Sequence, residues 1–333
     1  MAFPLLIDTD TGIDDAVAIA LAAQLPALDV VAITTVHGNV DTARATRNAR
    51  DVARRCGLRS PVVAGSARPL TREPRPARET HGEEGLGFVM PAAPPVAEPD
   101  HAAQRIIQES HRHHALTLCC LGPLTNLARA LDRDASLAGR LGPVFVMGGS
   151  LAVRGTMTRW SEFNWWSDPE AVDHVLRASP DVRLVPLDVT RQIAIPGSAI
   201  RQLGRAAETD SDARFWYDAL RFYAEFHRAW EQFDGAVVND ALAIALVSDD
   251  RLACWETMPV SVDLGDGDRQ GALIRQATGR TPLRVAVTVN APEVLALICR
   301  LVFSRWLDDG AVQSGAADAR RWLTENPLHI EAS

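Results

Sequence analysis

The chain has 333 residues, 47% hydrophobic and 23% charged, a composition that can bury a sizeable core. A net charge of −8 speaks against a nucleic-acid surface, which needs clustered positive charge, and no run approaches the roughly 20 apolar residues of a membrane helix. All 34 Lys and Arg positions are arginine, so no chemistry here can depend on lysine.

The first residues, Met-Ala-Phe-Pro-Leu-Leu-Ile, have no basic leader and read as the first strand, with the cytoplasm as the expected location. A helix follows over about 14–24. The apolar run 30–36 predicts a second strand, and 41–56 an Arg- and Ala-rich helix. Short strands are predicted at 61–64, 116–121, 144–147 and 183–186. Residues 211–233 form an aromatic-rich helical segment, 255–264 and 283–289 are late strands, and 291–306 is a helix. Continuous apolar strands separated by helices predict an α/β fold: an open, mostly parallel central sheet with helices on both faces.

Residues 66–100, rich in Pro, Gly, Arg and Glu, read as a long loop inside one domain spanning 1–333, because the alternation resumes after them. Arg72, Arg75 and Arg78 within it read as solvated surface. The tail from about 308 has weak helical character and carries no functional signal. Cys56, Cys119, Cys120, Cys254 and Cys299 show no CxxC spacing and read as free thiols.

In parallel sheets ligands bind beyond the carboxyl ends of the strands, so chemistry is sought there. The first strand ends in Asp8, Asp10, Asp14 and Asp15, four carboxylates in eight residues. Asp14 and Asp15 can serve a helix N-terminus. Capping leaves Asp8 and Asp10 unexplained, and close carboxylates repel unless a proton or cation offsets them. Hard oxygen ligands suit Ca²⁺ or Mg²⁺. Other strand ends carry His37-Gly38-Asn39, Leu121-Gly-Pro-Leu-Thr125-Asn126 and Met147-Gly-Gly. The loop Glu162-Phe-Asn164-Trp-Trp-Ser-Asp-Pro-Glu precedes a helix, and Asn239-Asp240 opens another, making Asp240 a fifth carboxylate. Trp160, Trp165 and Trp166 offer either base stacking or burial, and His111, His113 and His114 read as a solvated helix end.

The ordered set DxDxxxDD at Asp8–Asp15, Gly38-Asn39, HGEEGLG from His81, LGPLTNLA from Leu121, VMGG from Val146 and EFNxxxDPEA from Glu162 resembles the inosine–uridine-preferring nucleoside hydrolase family. The resemblance implies hydrolysis of the N-glycosidic bond of a small-molecule ribonucleoside. It also implies a tightly bound Ca²⁺, with Asp10, Asp15, Asp240 and the backbone carbonyl of Thr125 as protein ligands. Asp14, Asn39, Glu162 and Asn164 would hold the ribose hydroxyls, the Met147 region would line the pocket, and His81 would lie on a mobile closing loop. Asp10 would act as general base toward a water acidified by the metal. Family members are usually homodimers or homotetramers.

Two departures stand out. Many members have a histidine before the last metal-ligating aspartate as leaving-group acid, whereas this chain has Asn239. Three routes compete: protonation by another group, protonation by solvent along a water chain, or departure of a base that needs no proton. For the first, the sequence offers His227, on one helical face with Tyr223 and Trp230 or Glu231. Thr156, in Gly-Thr-Met-Thr, stands where Gly-Asn-Val-Thr is common, at a position expected to meet the ribose 5′-hydroxyl. Competing readings are a haloacid-dehalogenase-type phosphatase, which lacks its usual downstream lysine here, and a ribosyl-binding protein without turnover.

Overall fold

β1 (Phe3–Thr9) enters a nine-stranded sheet at a central position in a computed structural model that describes residues 2–178, 180–275 and 278–308, together with 310 and 321. β2 (Leu28–Thr35) and β3 (Val62–Ala64) extend the sheet on one side of β1. The chain then returns to the other side with β4 (Leu116–Cys120), β5 (Leu141–Met147) and β6 (Val182–Val185). β7 (Ala194–Pro196) and β8 (Gly235–Val237) form a separate antiparallel pair. β9 (Ala253–Val262), β10 (Leu273–Arg275) and β11 (Pro282–Val289) complete the sheet in the order β10-β9-β11-β6-β5-β4-β1-β2-β3. All neighbours from β11 to β3 are parallel, and β9 runs antiparallel to both its partners. The predicted open, mostly parallel architecture is the one found.

Strand direction of travel reverses beside β1, so the crevice between the carboxyl ends of β1 and β4 is the place where such sheets bind ligands. The strands are apolar on both faces. Leu5, Ile7, Ile33, Cys119, Phe145 and Val185 belong to one core, while Leu6, Ala32, Leu118, Cys120, Val144 and Leu184 belong to the other. This is why the strands read as uninterrupted hydrophobic runs.

Two helices matter most for the site. Ile13–Gln24 and Asn239–Ser248 are apolar nearly all round, are buried almost throughout, and pack against each other. Their first turns carry Asp14 with Asp15, and Asp240. Packing the helices therefore delivers all three carboxylates to one place.

Several local expectations differ. The helix predicted over 291–306 runs as Ala291–Ile298 and then opens into a π turn, Cys299–Phe303. Helices Ala102–Arg112 and Gly197–Ala206, the β7–β8 pair and β10 were not legible, the strands being only three residues long. The 66–100 segment holds one short helix, Arg78–His81. Arg72 is not solvated surface: it pairs with Glu170 at 2.8 Å and Asp266 at 3.0 Å, tying the loop to the protein body. The five cysteines are free, three of them buried. Apart from 310 and 321, the tail beyond 308 lies outside the described residues.

Candidate active site

The acidic cluster starts from strand register. Asp8 stands opposite Thr34 on β2 and Cys120 on β4, and its Oδ1 accepts from Thr34 Oγ1 at 2.6 Å and Asn126 Nδ2 at 2.7 Å. It is thereby a buried brace between strands. Asp10, just past the strand, accepts the Asn39 amide N–H at 2.7 Å through Oδ2, while its Oδ1 is buried with no hydrogen-bond partner. The fit is close, since a Cβ on Gly38 would lie 1.9 Å from Asp10 Oδ2. Only glycine allows the backbone to approach there.

Asp15 accepts from Thr9 Oγ1 at 2.5 Å, from the Gly12 amide at 2.7 Å and from Asn39 Nδ2 at 3.0 Å. Asp14 Oδ2 accepts from Tyr223 Oη and Asn239 Nδ2, each at 3.3 Å, and its Oδ1 has no partner. One oxygen each of Asp14, Asp15 and Asp240 lies within 4.8 Å of the others. Among the described residues this trio is the tightest carboxylate group, with Asp10 beside it.

Burial drives the titration of these groups. It pushes Asp14 and Asp15 up to about 6 and Asp8 up to about 7. Asp10 and Asp240 are raised well above the ordinary carboxylate range by burial first and neighbouring carboxylates second. Leaving such charges buried and unpaired is costly. Oxygen-only donors, orphaned buried oxygens and mutual repulsion together fit a divalent cation.

Thr125 begins the helix Thr125–Arg133 at the end of β4. Its hydroxyl donates to Asp168 Oδ2 at 2.6 Å and receives the His37 Nε2 hydrogen at 2.9 Å. Burial holds His37 down to about 3, so the ring is a neutral prop.

Glu162 caps the short helix Phe163–Ser167. Its carboxylate accepts the amides of Asn164 at 2.7 Å, Gly149 at 3.0 Å and Trp165 at 3.1 Å, and burial raises it to about 7. Asn164 Nδ2 donates to the Leu121 carbonyl at 2.7 Å and the Met147 carbonyl at 3.3 Å, linking the loop to the ends of β4 and β5. Thr156 Oγ1 accepts the Phe163 amide at 3.0 Å. His81 is buried, not displayed on an open loop. Its Nδ1 accepts the Ile13 amide at 3.2 Å, 4.0 Å from Asp14 Oδ1, and burial lowers it to about 4.

A cavity of about 630 Å³ opens on this assembly. Asp14, Asn39, His81, Met147, Glu162 and Asn164 line it together with Tyr223 and Asn239, which both bond Asp14. His227, Trp230, Glu231 and Arg191 also line it. His227 is buried rather than surface-exposed, and its Nδ1 lies 2.7 Å from the Tyr223 carbonyl. A carbonyl only accepts, so Nδ1 carries the hydrogen and Nε2 the lone pair. Burial also lowers His227 to about 4. Asn239 is held at both ends, its Oδ1 taking the Thr190 hydroxyl at 2.9 Å while its Nδ2 donates to Asp14.

The expected site residues Asp14, Asn39, His81, Met147, Thr156, Glu162, Asn164, His227, Asn239 and Asp240 all border this cavity. Asp10, Asp15 and Thr125 lie beneath it, fully buried. None of Trp160, Trp165 and Trp166 borders it: Trp165 is in the core, and Trp160 lies between Arg159 and Arg269. His111, His113 and His114 stay at a helix end without forming a metal group. Sequence reasoning missed Arg191 and Thr190. Both follow β6, so applying the strand-end rule to that strand would have found them.

The fold and the acidic pocket at its switch point define an α/β enzyme built to hold a small polar ligand beside a metal. The sequence pattern of the inosine-uridine preferring nucleoside hydrolases matches residues 5–296, and the chain belongs to that family of metal-dependent enzymes. It is 37% identical over 266 residues to the inosine-uridine preferring nucleoside hydrolase of Crithidia fasciculata, covering 78% of this chain and 83% of that one. Uridine nucleosidase 1 of Arabidopsis thaliana is 32% identical over 308 residues, 88% of this chain and 91% of the relative. A solved plant nucleoside hydrolase superposes with a TM-score of 0.84 at 33% identity, covering 91% of this chain and all of that one. The protein is therefore a nucleoside hydrolase, cleaving the N-glycosidic bond of ribonucleosides.

Proposed function

We propose that this hydrolase is Ca²⁺-dependent, with Asp10 as general base. The observation that carries the reading is the buried, partnerless Asp10 Oδ1 beside the Asp14–Asp15–Asp240 trio. Asp10, Asp15, Asp240 and the Thr125 carbonyl would hold the ion. Ca²⁺ held there would supply Lewis acidity toward a water and the ribose hydroxyls. Asp10 would accept the water's proton as the water oxygen bonds the anomeric carbon and the C1′–N bond breaks toward the base. Asp14, Asn39, Glu162 and Asn164 hold the ribose hydroxyls, and the surrounding carboxylates stabilise the oxocarbenium-like charge. Met147, Thr156 and His81 complete the sugar's enclosure, and Asn239 orients Asp14. One domain acting in the cytoplasm as a homodimer or homotetramer belongs to the same reading.

His227 is the expected leaving-group acid, but its hydrogen is committed to the Tyr223 carbonyl and the ring is neutral near pH 7. It offers the cavity an acceptor. The lack of a resident acid also motivates the second reading, a ribosyl-binding protein with little turnover.

The test is release of free base and ribose from inosine, uridine, adenosine and cytidine, before and after exhaustive chelation. Chelation should lower turnover at least about 10²-fold, and added Ca²⁺ should restore it and raise the melting temperature. Undiminished turnover after chelation would remove the metal role. Ca²⁺-dependent ribose binding without turnover would favour the binding protein.

A further inference from the structure

We propose that Arg191, steadied by Glu231, meets the negative charge of the departing nucleobase. The inference rests on the hydrolase reading above and supplies what the Asn239 position lacks. Three neutral groups bordering the cavity, Asn239, Tyr223 and His227, are already committed. Asn239 is fixed between Thr190 and Asp14, and the Tyr223 hydroxyl donates to Asp14. His227 presents a lone pair rather than a hydrogen. Phe226 and Trp230 form an aromatic wall with ring centres 6.4 Å apart, and Trp230 is 75% exposed.

Two arginines border the cavity. Arg154 is exposed on the loop that carries Thr156. Arg191 follows the helix Leu187–Thr190 at the carboxyl end of β6, adjacent to the residue that pins Asn239. Its Nη2 donates to Glu231 Oε1 at 3.1 Å, with the two side chains 12% and 23% exposed. A guanidinium has five N–H donors in a planar fork, so this ion pair fixes the group without exhausting it. Arginine keeps its charge at any working pH, which neither histidine bordering the cavity does.

The chemistry balances without a resident acid. The C1′–N bond breaks with its electron pair going to the base, water oxygen bonds C1′, and the water's proton passes to Asp10. The base leaves as an anion whose charge spreads to a conjugated carbonyl oxygen, as in a 6-oxopurine or an oxopyrimidine. Arg191 donates to that oxygen, the base takes a proton from bulk water after release, and Asp10 returns its proton to solvent. A preorganised cation aimed where charge develops is the general means by which such departures are accelerated. Arg191 would then touch the substrate, and Glu231 would be a positioning residue.

Kinetics of the Ca²⁺-loaded enzyme on inosine and on 4-nitrophenyl riboside, whose leaving group carries its own charge well, test this. Arg191→Gln should lower kcat on inosine about 10²–10³-fold. The loss on 4-nitrophenyl riboside should be at least about tenfold smaller, and Arg191→Lys should recover about tenfold of the inosine rate by restoring charge. Glu231→Gln should lower kcat on inosine less than Arg191→Gln does. Equal losses on both substrates would mean that Arg191 only anchors the helix end, and an undiminished inosine rate would also overturn the proposal. An unaltered protein that cleaves neither substrate would instead overturn the hydrolase reading itself.

Discussion

Asp15, in a helix first turn, and Glu162, capping another helix, are each tied by three hydrogen bonds of 2.5–3.1 Å. Trp230, Glu231 and Arg191 come instead from the last turn of the helix Ser211–Glu231 and the segment after β6, and Trp230 is largely exposed. Asp15 and Glu162 cannot move without giving up those bonds to Thr9, Gly12 and Asn39 and to the amides of Gly149, Asn164 and Trp165. Trp230, Arg191 and Glu231 can be exchanged at little cost to the core. On the proposed reading, chemistry on the ribose is built into the fold, while recognition of the base would be carried on elements that can vary.

The largest effect should come from breaking the rigid set. Asp10→Ala is expected to lower turnover about 10³-fold or more, since it removes the proposed base. The melting temperature of the metal-free protein should be unchanged or higher, because one of several repelling buried carboxylates is gone. A rate near that of the unaltered enzyme would remove Asp10 from its role.

The softer set is read by pH. Folding lowers His227 from 6.5 to about 4, so the folded state disfavours the protonated ring. The neutral histidine costs no stability above pH 6.5, and stability is lost progressively as pH falls from 6.5 to about 4, where the loss is complete. The full loss is about 3 kcal/mol. Denaturant unfolding of His227→Phe between pH 7 and pH 4 should show a correspondingly shallower decline, and an unchanged slope would mean that the ring titrates normally. The smallest effect concerns the joint between the two sets. Thr190→Val takes one partner from Asn239 at a cost of about 1 kcal/mol, which should appear as a roughly fivefold drop in kcat/KM. No change would mean that Asn239 is held adequately by Asp14.

Sequence alone determined the sheet and half of the site. Uninterrupted apolar strands require cover on both faces, and Asp10, Asp14 and Asp15 are within six residues, so their proximity is favoured by covalent spacing. The Glu162–Asn164 loop is legible for the same reason, its bonds being mostly local. Tertiary structure decided the rest. Tyr223 and Asn239 reach Asp14 across 209 and 225 residues, and Asp240 arrives because its helix packs on Ile13–Gln24. That choice of neighbours depends on complementary buried surfaces, which no local pattern encodes. The burial of His81 and His227, and with it their neutral state, likewise follows from what covers them. The identity of the group facing the nucleobase is of this second kind: Arg191 looks like any surface arginine until β6 and the helix Ser211–Glu231 bring it beside Glu231.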